Sequence, residues 1–440
     1  MPQSNERVRR SIRLQKPEPE RPIRVRPWHE EALHFDESSR PSVGCLVGRR
    51  TALRYAARVP EAAPDLAAID LHHHDVMHRL RAAAPVVWVD ALDGWVVLSR
   101  DLAVSVMRDA ARFTVDDPRF STSQVVGPSM LSLDGSEHRR HRDPFATAFM
   151  PAVVTPRDSA AIDATARRLV AELQPAGKAE LRRQLAGPLA VAVAAGALGL
   201  DDVPVAELLG WYDLIVAAVD GVSRGEAVSA TGVAAFESLA DALRSAAANP
   251  SSLLAEVALT LTDDELIANA AVFLFGGIET SEGMTSNLLH HLLADPEQCA
   301  LVNADRSLVE AAVEESLRLE PAAARVDRYA TAEMELEGAP IRDRDLVIVS
   351  LAAANRDPQH FPDPDRFDIR RTNVRSHVTF AQGPHACIGA QLARLESRAA
   401  LNAVLDLLPG IELVGPVETT GVVFRKPTAL HATWATGGPR

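Results

Sequence analysis

The chain is 440 residues long, 47% hydrophobic, and carries a formal net charge of −13. That length allows one large domain or two or three ordinary ones, and the acidic balance argues against nucleic acid as a bulk partner. Three widely spaced cysteines, Cys45, Cys299 and Cys387, form neither a disulfide framework nor a C-x-x-C metal site, so a reducing cytoplasm is the simplest setting.

Residues 1–50 are rich in arginine and proline and lack hydrophobic periodicity, which predicts a flexible basic extension. A solvated tail is the plainest reading of it, with a nucleic-acid or acidic-partner arm, or more weakly an organelle transit peptide, as alternatives. There is no apolar stretch typical of a secretory signal, and no run reaches the ~18–20 apolar residues that span a bilayer. Residues 51–440 read as a single domain. Val86–Val89 and Trp95–Leu98 predict a hairpin around Asp93-Gly94. From Asp101 to about Ala294 the pattern is helical, and a long helix begins at Thr262, where Thr262 and Glu265 have capping-box spacing. Strand-like Met334–Leu336 and Leu346–Val349 follow, then a proline-rich meander from Asn355 to Phe367, one more amphipathic helix and a short β tail. The predicted fold is mainly α with a minor β region.

Phe380-Ala381-Gln382-Gly383-Pro384-His385-Ala386-Cys387-Ile388-Gly389 presents one cysteine on a glycine-bounded loop just before that last helix. The glycines let backbone approach a flat ligand, and the helix start points N–H groups at the sulfur. A lone cysteine is more often a buried free thiol, but haem iron also takes a thiolate as its axial ligand. Within the long helix stands Gly276-Gly277-Ile278-Glu279-Thr280. Two adjacent mid-helix glycines cost ~1 kcal/mol each relative to alanine, so they need a reason. Either a tight helix crossing or a slot beside a bound ligand supplies one, with the Thr280 hydroxyl and the Glu279 carboxylate next to it.

The pattern Phe-x-x-Gly-x-His-x-Cys-x-Gly resembles the haem-binding loop of the cytochrome P-450 family, and Gly-Gly-x-Glu-Thr resembles its oxygen-activating motif, with Gly276 in place of the more usual alanine. Glu315-Ser316-Leu317-Arg318 lies between them, as the family's Glu-x-x-Arg does. The resemblance runs from roughly Leu71 to the C-terminus. It implies haem b between the long helix and the cysteine-loop helix, with Cys387 as iron ligand and Thr280 and Glu279 guiding protons. Gly276, Gly277, Phe380, Gly383 and Gly389 would border the haem. His138, Arg142, Arg328 and His385 would meet its propionates, because buried anions need cationic partners. Glu315 and Arg318 would be structural, joined by Arg366 of the meander. Val125, Val126, Val272, Phe275 and Ala323 would line an apolar substrate pocket.

The implied activity is a cytoplasmic, monomeric monooxygenase that inserts one oxygen of O2 into a hydrophobic small molecule. Ferredoxin or flavodoxin with a reductase would supply electrons. Arg139, Arg140, Arg394 and Arg398 are a candidate docking patch for that donor, or equally a solvated face. A peroxide-driven enzyme would share the cysteine but need no Thr280 relay, and a non-catalytic haem or ligand binder would need no relay at all.

Overall fold

The computed structural model describes residues 64–223, 226–250 and 252–436. The basic segment 1–50, and Cys45 with it, lies outside the described residues.

Two short helices open the described chain, α1 (Leu66–Leu71) and α2 (His73–Ala83), followed by strands β1 (Val86–Val89) and β2 (Gly94–Val97). The strands pair as the predicted hairpin, Val86 opposite Val97, with Asp93 at φ 44° closing a turn that Gly94 leaves as the first strand residue. Helix α3 (Arg100–Arg108) and β3 (Phe113–Thr114) come next, then α4 (Ser121–Val126), α5 (Gly135–Ala146), α6 (Pro151–Leu173) and β4 (Lys178–Glu180). Helices α7 (Gly187–Leu198), α8 (Val205–Ser223), α9 (Ala230–Ala247) and α10 (Leu253–Val257) lead into α11 (Asp263–Leu293), 31 residues long.

The capping box at the start of α11 is formed: the Thr262 hydroxyl accepts from the Glu265 amide at 3.4 Å, and the Glu265 carboxylate accepts from the Thr262 amide at 2.9 Å. Beyond α11 lie α12 (Pro296–Ala304), α13 (Val309–Leu319), β5 (Arg325–Ala330), β6 (Met334–Leu336), β7 (Ala339–Ile341), β8 (Leu346–Ser350) and α14 (Leu351–Ala354). The chain closes with α15 (Ala390–Leu407), β9 (Glu412–Leu413), β10 (Thr419–Thr420), β11 (Lys426–Pro427) and β12 (His431–Thr433).

The main sheet runs β1-β2-β8-β5-β3. Its β5, together with the short β3 and β4 inside the region read as helical, was not foreseen, because charged Arg325, Asp327 and Arg328 break up the apolar pattern of β5. The larger core is helical, and α15 packs against both α6 and α11. This brings the cysteine-loop helix beside the Gly-Gly helix. Among the described residues no helix is long and apolar enough to cross a membrane.

Histidines gather where α2 meets the end of α11. His73 donates to Ile69 O through Nδ1 at 3.2 Å, His74 pairs with Glu320 at 2.7 Å, and His291 meets the Ser316 hydroxyl at 2.9 Å. Glu320 also binds Arg425 at 3.0 Å. Burial, then the nearby Arg425, pushes His73 down to about 3, and burial with neighbouring His290 does the same to His291. These histidines are neutral when folded yet protonate near 6.5 when unfolded, so their contribution is complete above that pH and lost as pH falls toward 3. Acidification from about pH 6.5 to about pH 4.5 should therefore lower stability by up to ~1.4 kcal/mol per histidine per pH unit. Denaturant midpoints measured across that range test this. His73→Gln and His291→Gln should flatten the slope, and an unchanged slope would refute the assignment.

Candidate active site

The cysteine loop is shaped by backbone before any side chain acts. Gly383 sits at φ 76°, and a Cβ there would strike the Met107 carbonyl, so α3 packs against bare backbone. The Cys387 amide donates to Phe380 O at 2.8 Å and the Ala386 amide to Gly383 O at 3.1 Å, closing the loop onto α15. Gly389, the residue before α15, meets nothing within 4 Å of its would-be Cβ. The Cys387 side chain keeps exposed surface. Burial pushes its thiol upward, opposed by the Gly389 amide and by the Arg142 and Arg394 guanidinium groups. Those three groups are what a thiolate ligand requires.

On α11, Ala268 to Leu274 and Ile278 are buried, yet Gly276 is exposed and has nothing within 4 Å of its Cβ position. Gly276 therefore opens a notch in an otherwise packed helix. Gly277 does not share it. A Cβ on Gly277 would stand 3.3 Å from Ala194 Cβ on α7, so this glycine serves a close helix crossing rather than the expected ligand face. One residue along a helix turns the side-chain direction by about 100°, which separates the two. The Thr280 hydroxyl donates to Gly276 O at 2.5 Å. Glu279 is held by partners that the sequence did not reveal: the Tyr212 hydroxyl donates to Oε2, and Lys426 Nζ lies 2.7 Å from Oε1.

Three of the four expected propionate donors stand ready for an anion. His138 is 3% exposed and its Nε2 has no partner; Arg328 is 4% exposed and its Nη2 has none. Arg142 donates to Ala386 O at 2.5 Å, beside Cys387. His385 differs, because its Nε2 is taken by Asp134 at 2.8 Å while its ring lies 4.2 Å from that of His138. Burial works to raise the Asp134 carboxyl, but hydrogen bonds from His385, Thr114 and Val115 bring it down to about 2. Haem b fits this setting: a thiol backed by positive groups, a glycine notch, and buried nitrogen donors left without protein acceptors.

The Glu315–Arg318 pair is completely buried, with both guanidinium contacts at 2.8 Å. The arginine that joins it is Arg371, beyond the meander's end at Phe367, whose Nε lies 3.0 and 3.1 Å from the two Glu315 oxygens. Arg366, expected in that role, is exposed and gives only its carbonyl, to Arg318 and Arg371 at 3.1 Å each. Asp363 at φ 45° turns the meander here, and the Asp368 amide donates to Glu315, so the chain reaches the pair with residues after Arg366.

Two arginines of the expected docking patch have carboxylate partners within the chain, Arg394 half-buried and Arg140 at the surface. Arg394 binds Glu314 at 2.5 and 3.1 Å and covers the Phe380 ring at 4.5 Å, while Arg140 binds Glu137 and Glu265. A further buried acid went unnoticed in the sequence. Glu396 of α15 has its pKa raised to about 8 by burial, against a hydrogen bond from Ser281.

An apolar pocket lies between α4, α8 and α11, lined by Thr122, Val126, Tyr212, Ile215, Val272 and Phe275 among others. Of the residues expected to line a substrate pocket, Val126, Val272 and Phe275 border this one. Val125 packs against the helical core and does not line this pocket, and Ala323 bridges Phe424, whose ring meets Phe275 edge-on at 5.9 Å.

Comparison with known proteins agrees with this geometry. The sequence model of the family described as Cytochrome P450 matches residues 238–408. The cytochrome P450 monooxygenase PikC of Streptomyces venezuelae is 33% identical, over 82% of this chain and 90% of the relative. The 6-deoxyerythronolide B hydroxylase of Saccharopolyspora erythraea is 29% identical over 84% of this chain and 96% of the relative. Among solved structures, CalO2 superposes with a TM-score of 0.75 at 29% identity, covering 83% of this chain and 96% of that one. P450BioI, crystallised with a hexadec-9Z-enoic acid ligated acyl carrier protein, gives 0.75 at 27% identity, covering 82% and 98%. The thiol loop, the notched helix and the likeness along most of the chain lead to one conclusion: the protein belongs to the cytochrome P450 family of haem-thiolate monooxygenases, with haem b as its cofactor.

Proposed function

We propose that the chain inserts one oxygen atom of O2 into a hydrophobic small molecule, by hydroxylation or epoxidation, in the cytoplasm and with electrons from a separate ferredoxin or flavodoxin and its reductase. What carries this reading is the pairing of an accessible Cys387 thiol, on the loop leading into α15, with the Gly276 notch beside the Thr280 hydroxyl on α11, which packs against α15. Cys387 is the iron ligand in this reading, and His138, Arg142 and Arg328 hold the propionates. Bound haem b supplies the oxygen activation and electron transfer.

The residues of the chain do the rest. Thr280 Oγ1, now bonded to the Gly276 carbonyl, is the hydroxyl that hands a proton across the notch, and Glu279 is the carboxylate that refills it. The apolar lining of the pocket selects an apolar substrate and leaves its orientation to shape. A macrolide-sized compound agrees with the relative named as a 6-deoxyerythronolide B hydroxylase.

Thr280→Ala tests the relay. Product formed per dioxygen consumed should fall by about tenfold or more, while dioxygen uptake continues. Unimpaired coupling would instead favour a peroxide-driven enzyme, which should then turn over with peroxide at the wild-type rate.

A further inference from the structure

The acid of the proposed relay does not stand free. Glu279 is half-buried on α11 and both of its oxygens are engaged from other elements: Oε2 by the Tyr212 hydroxyl of α8, Oε1 by Lys426 Nζ of β11 at 2.7 Å. Lys426 in turn binds Glu282, one turn along α11, at 2.5 Å. Arg182 holds the other Glu282 oxygen at 3.1 Å and donates to Thr428 O at 2.8 Å. The charged groups around Glu279 are therefore Lys426, Glu282 and Arg182, with Asp213 beside Tyr212.

Lys426 is delivered by a hairpin built to hold still. Strands β10 and β11 pair Thr420 with Lys426. Gly421 at φ 119° lies so close to the Phe424 carbonyl that no Cβ could fit. Arg425 ties the hairpin to Glu320 at 3.0 Å, its amide donates to Ala322 O at 2.8 Å, and Asn287 donates to its carbonyl at 3.1 Å. Gly283 of α11 lets the hairpin approach, since a Cβ there would stand 2.9 Å from Ala322 Cβ and 3.5 Å from Lys426 Cβ. Two residues before Lys426, Phe424 touches Phe275 of the pocket, and Tyr212 lines that pocket directly. A glutamate side chain has several rotatable bonds and sweeps a wide volume unless it is fixed. Here it is fixed from both sides.

We propose that Lys426, acting with Tyr212, is a positioning residue that sets the Glu279 carboxylate in the one orientation from which it serves Thr280. The proposal rests on the relay reading given above. It also makes the C-terminal hairpin part of the reaction machinery.

The test uses four holoenzymes: wild type, Lys426→Met, Glu279→Gln and the double variant. Lys426→Met keeps the length of the stem and leaves Glu282 with Arg182. Its turnover should fall roughly tenfold, the factor set by losing a charge-assisted hydrogen bond. Substrate dissociation constants, read from the haem absorption shift, should stay within about twofold. Lys426→Arg should restore most of the turnover. In the Glu279→Gln background Lys426→Met should have no further effect, and the melting temperatures of the four proteins should be non-additive.

Lys426→Met at wild-type turnover, while Glu279→Gln is impaired, overturns the positioning role alone. Glu279→Gln at wild-type turnover and coupling overturns the relay reading, and the proposal with it. Additive melting temperatures or additive losses of turnover also overturn it. Tyr212→Phe, which deletes only a hydroxyl, should reproduce a smaller loss of the same kind, and it supplies the answer where Lys426→Met does not fold.

Discussion

Cys387→Ser should lose more than about 100-fold in dioxygen-dependent product formation while keeping its fold. The ceiling is what distinguishes roles: removing a contact that merely supports a metal ligand costs about 10–100-fold, so a larger loss marks the ligand itself. The fold should survive because serine preserves what shapes the loop. Gly383 still passes under Met107, the residue 387 amide still donates to Phe380 O, and Gly389 still opens α15. The carbon monoxide adduct of the reduced protein should at the same time lose the absorption position that thiolate ligation gives. Cys299 is the control. It is half-buried, its thiol is pushed up by burial, and its sulfur accepts from the Asn303 side chain at 3.6 Å. Cys299→Ala should leave both readouts unchanged. A Cys387→Ser protein with wild-type adduct absorption would sink the ligand assignment, and with it the reaction proposed here.

How far the sequence reached follows from what each residue depends on. The cysteine loop is contiguous, and its glycines are required by local backbone geometry, so ten adjacent residues carry it. The capping box at Thr262 and Glu265 is likewise local and was legible. The pair of glycines on α11 was legible only as a pair. That Gly276 opens a notch while Gly277 meets Ala194 depends on where α7 crosses, which no spacing within α11 encodes. Tyr212 and Lys426 had no signal of their own, since an isolated tyrosine and lysine mean nothing until α8 and the hairpin bring them to Glu279. Strand β5 was hidden by charge: Arg325, Asp327 and Arg328 look like loop residues in sequence, yet β5 lies between β8 and β3, and Arg328 is buried. Arg394 read as a surface cation because its partner, Glu314, comes from another helix.

Arg366 and Arg371 give the sharpest test of position against proximity in sequence. Arg318→Ala should cost about 3–5 kcal/mol of stability, the range for stranding one partner of a buried ion pair. Both side chains of the pair are 0% exposed, and Arg318 also donates to Asn355 O at 3.0 Å and Pro364 O at 2.7 Å. Its loss therefore takes two guanidinium contacts from a buried carboxylate, leaving it only Arg371 and the Asp368 amide, and strips the carbonyls of Asn355 and Pro364 of this donor. Arg371→Ala should be the next most costly, at about 2–4 kcal/mol, because Arg371 contacts Glu315 and the carbonyls of Pro362, Asp363 and Arg366. Arg366→Ala should stay within ~0.5 kcal/mol, since alanine keeps the backbone groups that Arg366 contributes, its amide to Asp363 O and its carbonyl to Arg318 and Arg371. Denaturant midpoints of the three variants order them directly. A costly Arg366→Ala with a silent Arg371→Ala would reverse the assignment made from the hydrogen bonds. It would also return the role to the residue that the sequence alone pointed to.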